Sequence, residues 1–203
     1  MITVYHLRPS RAERIAWLLE EAGVEYTVEA FDRDPTFRAP DALREVHPLG
    51  KSPLLRDGDR VIVESGAIVE YLVETYAPQL APAVGTDDRV RYLEWLHWSE
   101  GSLAATGVMD FIVCGGTVPG VDPGPIPDMV AVEMKRALDW VEDALAGHDF
   151  AVGDTFTAAD PMLVWVLEFT AMRGHVGDRP AINAYLERMR ARPAYQRAKE
   201  RTA

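Results

Sequence analysis

Cysteine is almost absent from this chain of 203 residues, where Cys114 stands alone. An internal disulfide is excluded, and so is a CxxC redox pair. A zinc site would have to be built from histidine and carboxylate ligands only. The five histidines, His6, His47, His97, His148 and His175, form no HExxH and no close pair, so no metal is expected. Long apolar runs are missing as well. None approaches the roughly 18–20 residues that a membrane helix requires. The start, Met1-Ile2-Thr3-Val4-Tyr5, lacks the basic and apolar regions of a signal peptide. A cytoplasmic location is therefore expected, with no membrane partner. Positive charge is scarce: the net charge is −11. Lysine and arginine are dispersed, apart from a tail between Arg188 and Arg201 with a helical pattern. That tail reads as a solvated face rather than a phosphate reader, and no nucleic-acid partner is expected.

What remains is an ordinary globular composition, 48% hydrophobic and 26% charged. The length suits one large domain or two small ones. Ile2 to Leu7 reads as a strand. Ser10 then precedes a helical stretch with Ile15, Leu18, Leu19 and Ala22 on one side, ended by Gly23. Tyr26 to Phe31 alternates as a second strand. A polar, Pro-bearing stretch follows, and a short helix at Asp41 to Val46. Pro53 to Arg56 and Arg60 to Val63 flank Asp57-Gly58-Asp59, a hairpin signal. Ser65 opens a helix to about Tyr76. The order β-α-β-α-β-β-α suits a parallel βαβ unit with an added antiparallel hairpin, which is a thioredoxin-like layer; fold alone assigns no function.

Ala77 to Thr86 carries Pro78, Pro82 and Gly85 and reads as a linker. Beyond it the pattern is helical. Thr86 can cap a helix reaching about Ile112, with Leu93, Leu96 and Leu103 on one side and Trp95, Trp98, Ala105 and Met109 on the other. Cys114 to Pro127 is too rich in glycine and proline to be helical throughout. Val130, Met134, Ala137, Leu138, Val141 and Leu145 then mark an amphipathic helix ended by Gly147. Pro161 to Met172 is apolar nearly all round and should be a central helix. Ahead of it, Thr157 and Asp160 have capping-box spacing. Short helices around Ala181 to Arg190 and Pro193 to Lys199 close the chain. The fold class is α+β: a thioredoxin-like domain over 1–76, a linker over 77–86 and an all-helical bundle over 87–203.

Three places can hold chemistry. Gly50-Lys51-Ser52-Pro53 ends like a phosphate-binding loop, but the required earlier glycine is Glu45, and a strand follows rather than a helix. Pro53, entering a strand from a loop, is instead a candidate for a cis peptide bond. That bend would leave the Ser52 backbone able to pair with an extended peptide. An ordinary loop-to-strand proline gives the same sequence. At Glu64-Ser65, the helix start favours an anion and Glu64 supplies an opposite charge. Together they fit the carboxylate and ammonium of an amino acid's main-chain end. At Tyr5 to Arg11, Ser10 lies between strand and helix, where its hydroxyl and the helix dipole would favour a bound thiolate. Lowering a thiol pKa by ~2 units takes about 2.7 kcal/mol. One hydrogen bond to a charged group supplies ~1.5–3 kcal/mol. Simple N-capping is the competing role for Ser10.

Taken together, "HPLGKSPLL…VIVESGAIVEYL", the strand-one serine and the Thr-Ala-Ala-Asp box resemble the cytosolic glutathione S-transferase family over essentially the whole chain. "RYLEWLHWSEGSL" further resembles a bacterial and fungal subgroup. The resemblance implies conjugation of glutathione, as co-substrate, to a hydrophobic electrophile, with no permanently bound cofactor and a homodimeric assembly. Peroxidase, reductase or isomerase chemistry on the same fold is the alternative, followed by a non-catalytic binding protein. By resemblance, Ser10 would activate the sulfur, with Tyr5 as the alternative. Pro53 would be cis, and the Ser52 backbone would pair with the cysteinyl part. Glu64 and Ser65 would bind the γ-glutamyl end, and Lys51 would reach the glycine carboxylate. The second substrate would lie near Leu7, Pro9 and the Trp98–Met109 helix.

Overall fold

The computed structural model describes residues 1–35, 37–115 and 122–203. They form two compact units, Met1–Ala81 with Arg190–Ala203, and Pro82–Met189.

The first unit is built on β1 (Ile2–Arg8), β2 (Tyr26–Asp32), β3 (Leu54–Asp57) and β4 (Arg60–Val63), in the order β2-β1-β3-β4. β1 pairs parallel with β2, and antiparallel with β3, which pairs antiparallel with β4. The expected βαβ unit and hairpin are both present. β1 is covered on both faces, so its residues are nearly all buried. Tyr5 and Leu7 face a cluster with Leu54 and with Leu43 of α2 (Asp41–Val46). Ile2, Val4 and His6 alternate to the opposite face. There α1 (Ala12–Ala22) buries Ile15, Ala16, Leu18 and Leu19. Gly23, at φ 65°, ends α1 in the left-handed region, where glycine lacks a Cβ penalty. α3 (Ser65–Tyr76) buries Ile68, Val69, Leu72 and Val73.

The last helix, α9 (Pro193–Thr202), also belongs to this unit, so the helical half expected over 87–203 stops short of the C-terminus. Charge complementarity places it. α1 carries Glu13, Glu20 and Glu21 on its polar side. Arg192 grips Glu21 through two bonds of 2.6 and 2.8 Å. Arg197 and Arg201 bond Glu20 at 2.7 and 3.1 Å, and Lys199 bonds Glu13 at 2.7 Å. The Tyr195 ring meets Trp17 edge-on at 5.1 Å. The basic tail is thus more than a solvated face: Arg192, Arg197, Lys199 and Arg201 answer an acidic row on α1.

The second unit is helical. Thr86 caps α4 (Asp87–Trp98), its Oγ1 accepting the Arg89 N–H at 3.2 Å. The long helix then continues through a π-helical stretch (Ser99–Ala104), α5 (Ala105–Met109) and a second π-helical stretch (Asp110–Cys114). Of its two expected apolar sides, Leu96 and Leu103 are buried, as is Trp95, whereas Ala105 and Met109 are exposed. Part of the Gly- and Pro-rich stretch, 116–121, lies outside the described residues. α6 (Ile126–Leu145) buries Val130, Met134, Leu138, Val141 and Leu145. α7 (Ala159–Met172) is buried along most of its length, and α8 (Pro180–Arg190) follows. Among the described residues no helix is long and apolar enough to cross a membrane.

Asp160 organises the start of α7. Its carboxyl is fully buried and accepts from the Ala151 and Thr157 N–H groups at 2.9 and 2.7 Å, and from the Tyr185 hydroxyl at 2.8 Å. The Thr157 hydroxyl donates to it as well, at 3.3 Å, so only the acidic half of a capping box forms. Burial pushes the Asp160 carboxyl up to about 6. The folded state therefore keeps a proton that the unfolded chain releases near 3.8, and stability falls as pH rises through that window. Asp160→Asn turns an NH2 group toward donors. It should cost on the order of 2–4 kcal/mol. Urea unfolding at pH 4 and pH 6.5 should show a larger cost at the lower pH; a pH-independent cost would mean that Asp160 is ionised throughout.

Candidate active site

β3 begins at Leu54, opposite Tyr5, so β1 runs on past its antiparallel neighbour. The Tyr5 carbonyl and Leu7 N–H point to the side that β3 has left, and buried groups of this kind need partners. The Ser52 side chain supplies both. Its Oγ donates to the Tyr5 carbonyl at 3.0 Å and accepts the Leu7 N–H at 3.2 Å. The same Oγ lies 2.9 Å from Ser10 Oγ. One hydroxyl thus ends the sheet ladder and ties the loop before β3 to the loop after β1.

The Ser52–Pro53 peptide bond is cis, as Pro53 suggested, and Arg8–Pro9 is a second cis bond that the sequence reading did not foresee. Among the described residues, no hydrogen bond engages the Ser52 backbone N–H or carbonyl. Lys51 beside it is exposed and without a side-chain partner among the described residues.

Ser10 is 7% exposed. Its Oγ accepts the Ala12 N–H at 3.2 Å, so it does serve the start of α1. It also meets His6 Nδ1 at 3.1 Å. His6 is fully buried, and its Nε2 lies 3.0 Å from the Thr202 carbonyl at the end of α9. Burial, the largest influence, holds the His6 imidazole below its usual pKa; Glu13 pulls the other way. The sequence reading passed over His6. A polar residue in line with buried Ile2 and Val4 was the available signal. It also missed the Ser52 side chain, having considered only the backbone there.

Tyr5 is placed differently. Its hydroxyl accepts from Arg56 Nε at 2.8 Å, and its ring sits in the cluster under α2. Its side chain leaves β1 on the face opposite His6. Leu7 is buried in the same cluster, and Pro9 is exposed.

The pairing of Leu54 with Val63 sets Glu64 beside Pro53 across the hairpin. Glu64 takes φ 71° and ψ 126°, a conformation that costs a non-glycine residue on the order of 1–3 kcal/mol. Its carboxylate is exposed and without a partner among the described residues. The first helical bond of α3 runs from the Ile68 N–H to the Glu64 carbonyl at 2.9 Å. The Ser65, Gly66 and Ala67 N–H groups are therefore left open at the helix start. β1, β3 and β4 thus bring their loops to one end of the sheet, and with them Ser10, Ser52 and Glu64-Ser65. No group of three or more His, Cys, Asp or Glu among the described residues is placed to hold a metal ion.

The site is thus set in a thioredoxin-like layer, with a cis-proline, an open helix start and a hydroxyl at the first helix. Comparisons with known proteins identify the family. A family model described as "Glutathione S-transferase, N-terminal domain" matches residues 1–74, and one described as "Glutathione S-transferase, C-terminal domain" matches 126–188. Glutathione S-transferase 3 of Schizosaccharomyces pombe is 34% identical, over 99% of this chain and 88% of that protein. A solved glutathione S-transferase from Actinobacillus pleuropneumoniae superposes with a TM-score of 0.89 at 33% identity, covering 100% of this chain and 93% of the other. A sphingomonad glutathione S-transferase complexed with glutathione gives 0.79 at 28% identity, over 98% of both chains. The chain belongs to the glutathione S-transferase family.

Ser52→Ala removes the side chain that closes the β1 ladder. Leaving the Leu7 N–H and Tyr5 carbonyl unpaired should cost about 1–2 kcal/mol. Thermal melts check this, and an unchanged midpoint would show that water replaces the hydroxyl fully.

Proposed function

We propose that this protein is a glutathione transferase whose reactive thiolate is held at Ser10, and that hydrophobic electrophiles are its second substrates. The observation that carries the reading is the position of Ser10. Its hydroxyl lies at the start of α1, 2.9 Å from the Ser52 hydroxyl that adjoins the cis-proline.

The thiol peptide follows from the groups left open. The unpaired Ser52 backbone suits the cysteinyl main chain, in the manner of an added strand. The open N–H groups of α3 suit the α-carboxylate of a γ-glutamyl end, and the Glu64 carboxylate suits its ammonium. The strained backbone at Glu64 accords with a residue kept for binding. Lys51 suits the glycine carboxylate. The sphingomonad relative complexed with glutathione supports the same ligand here. At Ser10 the sulfur would meet a hydroxyl and the N-terminal end of an 11-residue helix, both favouring the thiolate. Tyr5 is the weaker choice, because its hydroxyl is held by Arg56 on the other face of the sheet. A soluble homodimer is the assembly proposed with this activity, and light scattering would read a mass twice the chain's 22.6 kDa.

A thermal shift tests the ligand. Glutathione at 100 times its Kd should stabilise by about 2.7 kcal/mol; no shift at millimolar glutathione would sink the reading. A panel of aryl halides, epoxides, hydroperoxides and mixed disulfides tests the chemistry, with the aryl halides and epoxides expected to turn over fastest. Ser10→Ala should lower turnover by about tenfold to hundredfold, the worth of one hydrogen bond to a thiolate. Tyr5→Phe should retain turnover within about threefold, since its hydroxyl serves Arg56 and lies outside the proposed machinery. The reverse pattern would move the role to Tyr5.

A further inference from the structure

Ser10 cannot serve a bound thiolate with its hydroxyl bonds as they stand. A hydroxyl has one proton to donate and two lone pairs to accept with. The Ala12 N–H takes one lone pair of Ser10 Oγ, at 3.2 Å. His6 Nδ1 at 3.1 Å and Ser52 Oγ at 2.9 Å compete for the rest. The state of His6 decides the outcome. The Thr202 carbonyl can only accept, so at 3.0 Å His6 Nε2 must carry a hydrogen. In a neutral ring Nδ1 is then bare, and Ser52 Oγ has already given its proton to the Tyr5 carbonyl, so both can only accept and one of them takes the single Ser10 proton. That leaves Ser10 nothing to donate to sulfur. If Nδ1 also carries a proton, it donates to Ser10 Oγ and fills the second lone pair, so the Ser10 proton no longer serves His6 and only the remaining Ser52 Oγ lone pair competes with a bound sulfur for it.

We infer that His6 is a positioning residue that takes up the proton of bound glutathione through Ser10, with the Thr202 carbonyl at the end of α9 setting its tautomer. The step rests on the transferase reading above. The S–H bond breaks as its proton moves to Ser10 Oγ, while the original Ser10 proton passes to His6 Nδ1. The products are a thiolate that accepts from Ser10 and an imidazolium that donates to Ser10 and to Thr202. No oxidant or further reactant is needed. When the sulfur has added to the electrophile, the proton returns by the same path to the leaving group or to water.

The charges around His6 shape both states. Its burial favours the neutral resting ring. Glu13 on α1 favours the imidazolium, whereas Arg8 on β1 and Lys199 on α9 oppose it. Lys199 is itself tied to Glu13 at 2.7 Å. A thiolate one hydroxyl away adds the negative charge that the resting site lacks, so the proton and the ligand arrive together.

The decisive experiment is nitrogen NMR of the assigned His6 ring at pH 7, in the full chain saturated with glutathione or with S-methylglutathione, which has no proton to give. Glutathione should bring both ring nitrogens to imidazolium shifts, and S-methylglutathione should leave Nδ1 unprotonated. Identical His6 spectra in two proven complexes would overturn the relay and leave the transferase reading standing. A chain that binds neither ligand by calorimetry overturns that reading, and the relay with it. A second arm uses His6→Gln, which keeps a donor for the Thr202 carbonyl but cannot titrate. Ultraviolet thiolate absorbance should give an apparent pKa for bound glutathione about one unit higher, or about tenfold less thiolate below the pKa. Glutathione affinity should change by less than about threefold, and Ser10→Ala/His6→Gln should raise the thiol pKa no further than Ser10→Ala alone. A folded His6→Gln variant with the parent's thiol pKa would reduce His6 to a packing role.

Discussion

The site depends on a place where the sheet runs out of partners. β1 extends past the start of β3, and its last inward groups would be buried without hydrogen bonds. The Ser52 hydroxyl meets them in the position that another β3 residue would have filled. This single contact has two results. It allows the chain to turn away at the cis-proline, which frees the Ser52 main chain from the sheet. It also brings the end of β1 against that turn, which places Ser10 beside Ser52. A longer β3 would pair β1 fully and leave no exposed peptide edge.

The second dependence is on the far end of the chain. α9 is held on α1 by an acidic row and a basic row, and its last turn delivers a carbonyl to His6. Exposed ion pairs contribute little each. Here several act on one helix, and the Arg192–Glu21 pair is a two-bond fork, a geometry that fixes orientation as well as position. The C-terminus therefore reaches the centre of the first unit although it follows the helical unit in sequence.

Much of this was legible beforehand, and the failures have physical causes. The β-α-β-α-β-β-α order followed from period and turn signals, and the observed strands agree within a residue or so. The cis bond at Pro53 followed from a proline entering a strand. The placement of α9 did not, because an amphipathic basic helix reveals that it has a face without revealing which element meets it. Glu13, Glu20 and Glu21, spaced on one side of α1, were the other half of that signal. The π-helical stretches escaped because they disturb helix spacing only locally. Strand parity could have separated Tyr5 from Ser10: Tyr5 shares a face with Leu7, and Ser10 lies beyond the strand, level with the His6 side. His6 was overlooked since a lone histidine in a strand carries no motif.

The division of labour in the site follows from these placements. The groups proposed to take the peptide are largely backbone: the Ser52 main chain and the first N–H groups of α3. Backbone groups are supplied by the fold, and many side-chain changes would leave them intact. In the proposed mechanism reactivity rests on side chains, namely Ser10, His6 and Ser52, whose hydroxyls and ring share too few protons to satisfy every contact at once. That shortage is what makes the cluster responsive. A fully satisfied network would be rigid and indifferent to a ligand's proton, whereas one whose bonds depend on a single histidine hydrogen changes state when a thiol supplies it. On this proposal recognition and chemistry are separable: the first set by where β3 begins, the second by what β1 carries at position 6 and what α9 holds against it.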